Sequence, residues 1–303
     1  MRKNHWILGV LALAFVGALA LGSPALAQDE AATYVGAETC AECHGEVADA
    51  LVTTGHGQAG FGQLSSRGCE TCHGPGSVHV DDPESWNMRV TDKAVREQTA
   101  ICQNCHDGGA QFFWKGGVHD TRGLTCTTCH SVHSPVSDTA QLKTSQVMDT
   151  CLECHKDVRA DLWKNSHHPI REGRISCVDC HNPHGTQTEK MIKAVSVNDQ
   201  CYECHAETRG PFLWEHPPVR ESCMNCHTPH GSNHIKLQRT TVPYLCQQCH
   251  SNTRHPGTLY DNTRLPTLED ESTGNNRIFN RACLDCHAAI HGSNHPSGPY
   301  LGR

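Results

Sequence analysis

One spacing constrains this chain more than anything else in it: Cys-x-x-Cys-His, repeated ten times. The motifs fall at Cys40, Cys43 and His44; Cys69, Cys72 and His73; Cys102, Cys105 and His106; Cys126, Cys129 and His130; and Cys151, Cys154 and His155. They continue at Cys177, Cys180 and His181; Cys201, Cys204 and His205; Cys223, Cys226 and His227; Cys246, Cys249 and His250; and Cys283, Cys286 and His287. Two thiols three positions apart can add to the two vinyl groups on one edge of a porphyrin. The histidine that follows then lies under the iron as its proximal ligand. Ten motifs consume all 20 cysteines. Structural zinc needs four ligands per ion and gives no reason for a histidine behind every second cysteine. A disulfide framework would not repeat one spacing so often. The expectation is ten covalent c-type haems, each with its iron.

Composition agrees with an exported haem protein. A basic start (Arg2, Lys3), an apolar run over 6–21 and Ala25-Leu26-Ala27 read as a signal peptide over 1–27, with the decahaem domain at 28–303. No later stretch is long and apolar enough to span a bilayer. Without Arg2 and Lys3, 23 basic residues face 32 acidic ones, which argues against nucleic acid as a partner. Hydrophobic residues are 37% and aromatics 5%, thin for an ordinary core. Fewer than 28 mature residues serve each motif, so the porphyrins themselves should form the apolar interior. The expected fold is a multihaem cytochrome c: mostly irregular chain with few short α-helices wrapped around a column of ten haems, and almost no β structure. Residues 145–164 and 186–201 could form short helices, while Gly and Pro around the motifs favour loops. Residues 261–281 read as an exposed loop.

The motifs pair into five units beginning at Cys40, Cys102, Cys151, Cys201 and Cys246. Each unit repeats one order: a motif, a lone histidine, a second motif, a trailing histidine. The mid-unit histidines are His56, His119, His167, His216 and His255; the trailing ones are His79, His133, His184, His230 and His291. These ten are the candidate distal ligands. His167 is preferred to His168 because His167-His168-Pro169-Ile170-Arg171-Glu172 aligns with His216-Pro217-Pro218-Val219-Arg220-Glu221 through the Pro-apolar-Arg-Glu run. His133, His184 and His230 follow their own proximal histidine by three residues and start on the same side of the haem. They are therefore expected to serve a neighbouring iron. Aromatic clusters precede three mid-unit histidines (Phe112-Phe113-Trp114, Leu162-Trp163, Phe212-Leu213-Trp214), and packing against porphyrin faces explains them better than an electron relay.

The second half resembles the MtrA/DmsE family of decahaem c-type cytochromes. The likeness is carried by Cys177-Val-Asp-Cys-His-Asn-Pro-His-Gly185, Arg209-Gly-Pro-Phe-Leu-Trp-Glu-His-Pro-Pro-Val219, Leu245-Cys-Gln-Gln-Cys-His250 and His291-Gly-Ser-Asn-His-Pro-Ser-Gly298. The first two motifs are the least typical, with His79 six residues beyond His73. The resemblance implies two fused pentahaem halves, 28–165 and 166–303, and an electron conduit held inside an outer-membrane β-barrel protein. Its implied partners are a periplasmic or inner-membrane cytochrome donor and an extracellular multihaem cytochrome or reductase. The expected location is the periplasm and outer membrane, without a lipid span of its own. Metal or DMSO respiration and iron oxidation all fit such a conduit. The alternatives are a soluble periplasmic shuttle and a multihaem reductase. A reductase needs an open iron, whereas histidines here suffice to close all ten, so no catalytic residue is assigned.

Overall fold

The computed structural model describes residues 31–60, 68–84, 86–250, 282–296 and 298–302. The signal-peptide reading, His255 and the 261–281 loop reading fall outside them. Short helices and turns dominate. The longest helix is Ala37–Val52, and the two-residue strands Trp214–Glu215 and Gly292–Ser293 pair antiparallel. The 145–164 segment forms two helices, Val147–Leu152 and Lys156–Leu162, broken at the motif itself. In 186–201 only the helix Val197–Tyr202 and a 3-10 turn at Glu189–Met191 appear.

The motif dictates this local structure. In nine motifs, from Cys69 to Cys283, the histidine N–H donates to the carbonyl of the first cysteine, as in His130 to Cys126 at 3.0 Å. One such turn puts residues three apart on one side, so both thiols face the same way. Two of the turns are capped by their own sequence: Thr125 N–H donates to Thr128 Oγ1 and Ser176 N–H to the Asp179 carboxylate. At the first motif the turn is absorbed into Ala37–Val52, which His44 interrupts with φ −112° and ψ 38°.

After a second motif the chain folds back as a small hairpin. Ser131 N–H donates to Gln141 O and Lys143 N–H to Cys129 O; Asn182 pairs with Met191 and Lys193 with Cys180; Thr228 pairs with Leu237 and Arg239 with Cys226. Each hairpin turns on two left-handed residues, Ala140–Gln141, Lys190–Met191 or Lys236–Leu237, with φ between 51° and 58°. Non-glycine residues adopt this conformation at a cost of about 1–2 kcal/mol each, so the turn must supply something in return.

Apolar packing is sparse. Among the described residues the buried hydrophobic side chains are Trp114, Leu142, Leu152, Leu162 and Leu301. Buried polar groups tie the coil together instead. The Glu70 carboxylate, 2% exposed, accepts the backbone N–H of Val35, Gly36 and Gly76. Asn198 donates to the carbonyls of Val219 and Arg220 and accepts from Cys223 N–H, locking one motif to the next.

Candidate haem-binding site

The cysteines form a continuous succession through the molecule. Within each unit the leading thiols of the two motifs stand side by side: Cys40 with Cys69, Cys102 with Cys126, Cys151 with Cys177, Cys201 with Cys223, and Cys246 with Cys283. Between units the trailing cysteines are neighbours: Cys72 with Cys105, Cys129 with Cys154, Cys180 with Cys204, and Cys226 with Cys249. Every motif therefore stands beside the next one in sequence.

Opposite nine motif histidines stands a second imidazole. The facing pairs are His44 with His79, His106 with His56, His73 with His133, His155 with His119, and His130 with His184. His205 with His168, His181 with His230, His250 with His216, and His227 with His291 complete them. Ring centroids are 5.8–6.3 Å apart in all nine. Two metal–imidazole bonds of about 2.0 Å each, plus the distance from each nitrogen to its ring centre, make about 6 Å. The gap thus fits one iron between two histidines. Two imidazoles per site leave four positions on the iron, which the porphyrin of a haem attached at the adjacent Cys-x-x-Cys would fill. A continuous cavity of ≈ 3580 Å³ takes in both histidines of five pairs: His119–His155, His168–His205, His181–His230, His216–His250 and His227–His291. Buried donors without a protein acceptor, Trp114 Nε1, Trp214 Nε1 and Thr99 Oγ1, fit propionate oxygens.

The pairs obey one rule of shift. A mid-unit histidine faces the first motif of the following unit; a trailing histidine faces the second motif of the preceding unit. His184, for instance, faces His130 and not His181, three residues before it. Among the described histidines only His79 departs: it faces His44 of its own unit, which no unit precedes. Burial, reinforced by the facing imidazole, lowers the pKa of His133, His184, His216, His230 and His291. They are thereby kept neutral, the form a metal takes.

One expectation is corrected. His168, not His167, faces His205. Ser166 and Ser232 exchange backbone hydrogen bonds, and His168 Nδ1 donates to Pro229 O at 2.6 Å, turning that ring inward. His167 turns back instead. Its Nδ1 meets Lys164 O at 2.8 Å and its Nε2 meets Glu172 at 3.1 Å, a bond that holds the Glu172 carboxyl below the usual range. Alignment through the Pro-apolar-Arg-Glu run is off by one because an extra residue, Pro217, stands between His216 and that run; the usable signal is the histidine directly before the first proline, as in His216-Pro217 and His168-Pro169. The aromatics also divide. Trp114 is buried and Trp214 half-buried, but Phe112, Leu213 and Trp163 are exposed, with the Arg171 guanidinium 4.2 Å over the Trp163 ring.

Comparisons with known proteins agree with this geometry. A family described as "Doubled CXXCH motif" matches residues 167–210 and 216–255, and one described as "Cytochrome c-type protein NrfB-like" matches 69–154. The chain is 39% identical to the "Multiheme cytochrome MtrA" of Shewanella baltica over 277 residues, covering 88% of this chain and 81% of that protein. It is 34% identical over 98 residues to the "Cytochrome c-type protein NrfB" of Escherichia coli, covering 31% of this chain and 51% of that one. It is 25% identical over 184 residues to the "Dissimilatory sulfite reductase MccA" of Wolinella succinogenes, 54% of this chain but 24% of that one. Paired motifs that neighbour one another in sequence order, facing imidazoles one iron apart and this coverage lead to one conclusion: the chain belongs to the MtrA family of multihaem c-type cytochromes and transfers electrons through covalent haem.

Proposed function

We propose that the mature chain, residues 28–303, carries ten haems and conducts electrons between the periplasm and the cell exterior from inside an outer-membrane β-barrel. The observation that carries the reading is the unbroken succession of neighbouring motifs, from Cys40–Cys69 to Cys246–Cys283. Each haem iron, when bound, supplies one-electron redox chemistry. The chain's own part is to fix thioether positions, present two neutral imidazoles to each iron and shield the column. In nine cases both imidazoles are in place. By the shift rule His255 and His287 are left at the far end, as His44 and His79 are at the near end, and we assign them to each other. The succession also runs through Cys151–Cys177, so pentahaem halves 28–165 and 166–303 would form one path.

Membrane physics supports the barrel. Only helices or closed barrels can face lipid, and among the described residues no helix is long and apolar enough to cross. Donor and acceptor would be a periplasmic or inner-membrane cytochrome and an extracellular multihaem cytochrome or reductase. The test uses liposomes holding an internal oxidant and given an external reductant, with barrel alone, this protein alone, or both. Electron flow only with both is expected. A chain that binds no barrel and reduces only soluble partners would be a periplasmic shuttle.

The sulfite reductase likeness favours a second reading, an enzyme. That chemistry needs an iron with a free sixth position. A high-spin ferric signal from one haem in the fully matured protein would select it; an all-low-spin spectrum is expected.

A further inference from the structure

The imidazoles of the facing pairs are held in two complementary ways. In the second motif of every unit the proximal Nδ1–H donates to a backbone carbonyl: His73 to Met88 at 2.8 Å, His130 to Ala140 at 2.6 Å, His181 to Lys190 and His227 to Lys236 at 2.8 Å, and His287 to Tyr300 at 2.5 Å. Three of these carbonyls belong to the left-handed turns, which is what those turns supply. In the first motifs the anchor moves to the facing histidine. His79 donates to Trp86 O at 2.9 Å, His119 to Pro183 O at 2.8 Å and His168 to Pro229 O at 2.6 Å. Two cases differ: His216 Nδ1 is buried and meets no acceptor at hydrogen-bond distance, and His56 Nδ1 meets a side chain, Gln141 Oε1, at 2.5 Å.

We propose that Gln141 is a positioning residue that sets the reduction potential of the haem on Cys102 and Cys105 by holding the Nδ1–H of His56. The inference rests on the reading of His56 and His106 as an axial pair. An acceptor on Nδ1–H fixes the tautomer and makes the far nitrogen a stronger donor to the metal, which favours ferric iron and lowers the potential. At the other held rings the acceptor is main chain and beyond the reach of a substitution; here it is a side chain. Its orientation is fixed, since the amide Nε2 donates to Val132 O at 3.4 Å and leaves Oε1 to accept. The same two-residue turn also presents Ala140 O to His130. It therefore serves two consecutive haems, one through its backbone and one through this amide. The equivalent positions in the next two units are Met191 and Leu237, with φ 55° and 56° against 51° for Gln141. An aliphatic side chain is thus compatible with this backbone, and the amide is specific to this site.

The experiment compares full-length holoprotein with Gln141→Leu and Gln141→Glu in redox titrations followed by absorbance and electron paramagnetic resonance. In Gln141→Leu one haem of the ten should move to higher potential, by about 59 mV for a tenfold change in its one-electron equilibrium. In Gln141→Glu the charged acceptor strengthens the bond, so one haem should move lower with a narrowed g-spread, which a remote charge alone would not cause. All haems should stay low-spin. His56→Ala is run alongside and should open one iron to carbon monoxide. If His56→Ala opens none, the pairing falls and the proposal with it. If it opens one while Gln141→Leu leaves the titration unchanged, moves the same way as Gln141→Glu, or itself turns high-spin, the tuning role is overturned and the pairing stands.

Discussion

His167 and His168 are chemically identical neighbours that the backbone sends in opposite directions. A true sixth ligand leaves an open iron when removed, so His168→Ala should give one high-spin haem that binds carbon monoxide when reduced. His167→Ala should leave the spectrum intact, because its ring is engaged by Lys164 O and Glu172. The half-buried imidazoles of His133, His184, His216, His230 and His291, proposed as ligands, carry a pH consequence. Detached, each would take a proton near its ordinary value of about 6.5; in place, burial lowers that value. Protons therefore favour the detached form. Ligation is at full strength above about pH 6.5 and is lost as pH falls through the depressed value. Spin state followed from pH 8 to pH 4 should show their five haems low-spin through pH 6.5 and opening only in acid.

Among the elements, the staple built on Glu70 shows how a coil with few apolar contacts is stabilised. Its carboxylate accepts three backbone N–H groups, two of them from Val35 and Gly36 just before the helix Ala37–Val52. Glu70→Ala leaves those donors buried and unpaired, at about 1–3 kcal/mol for each. The N-terminal segment should then become protease-sensitive and the melting temperature fall, while Glu70→Gln recovers part of the loss. Asn198 does the same between two motifs. Asn198→Ala should lower stability by a similar order in thermal melts, with the haem count unchanged because the thioether bonds form regardless.

For the whole molecule the consequence is order. Motifs adjacent in sequence are adjacent in space throughout, so the path is linear, and interrupting one member divides it. The intact mass of the matured protein should correspond to ten haems. Replacing Cys151, Cys154 and His155 with Ala, Ala and Gly should remove one haem. Because this gap lies mid-path, reduction from one end should then leave the far haems slow to respond in stopped-flow absorbance. A variant lacking only the terminal motif at Cys283 should keep fast reduction of the rest.

What the sequence determined follows from covalent chemistry. A thioether needs two cysteines at a fixed spacing and a proximal histidine directly after them, so haem sites, proximal ligands and the scarcity of regular structure were legible at Cys40 as at Cys283. The five-fold repeat likewise marked the ligand candidates. Only the tertiary structure shows which histidine faces which motif. An imidazole is a ligand by direction, and direction is set by contacts distant in sequence, such as Pro229 O on His168 or Pro183 O on His119. The shift of one unit between His184 and His130 and the left-handed turns that aim backbone carbonyls at the proximal rings belong to the same class. Spacing told that His184 faces another motif than its own, but not which one, because these contacts arise where separate units of the coil meet.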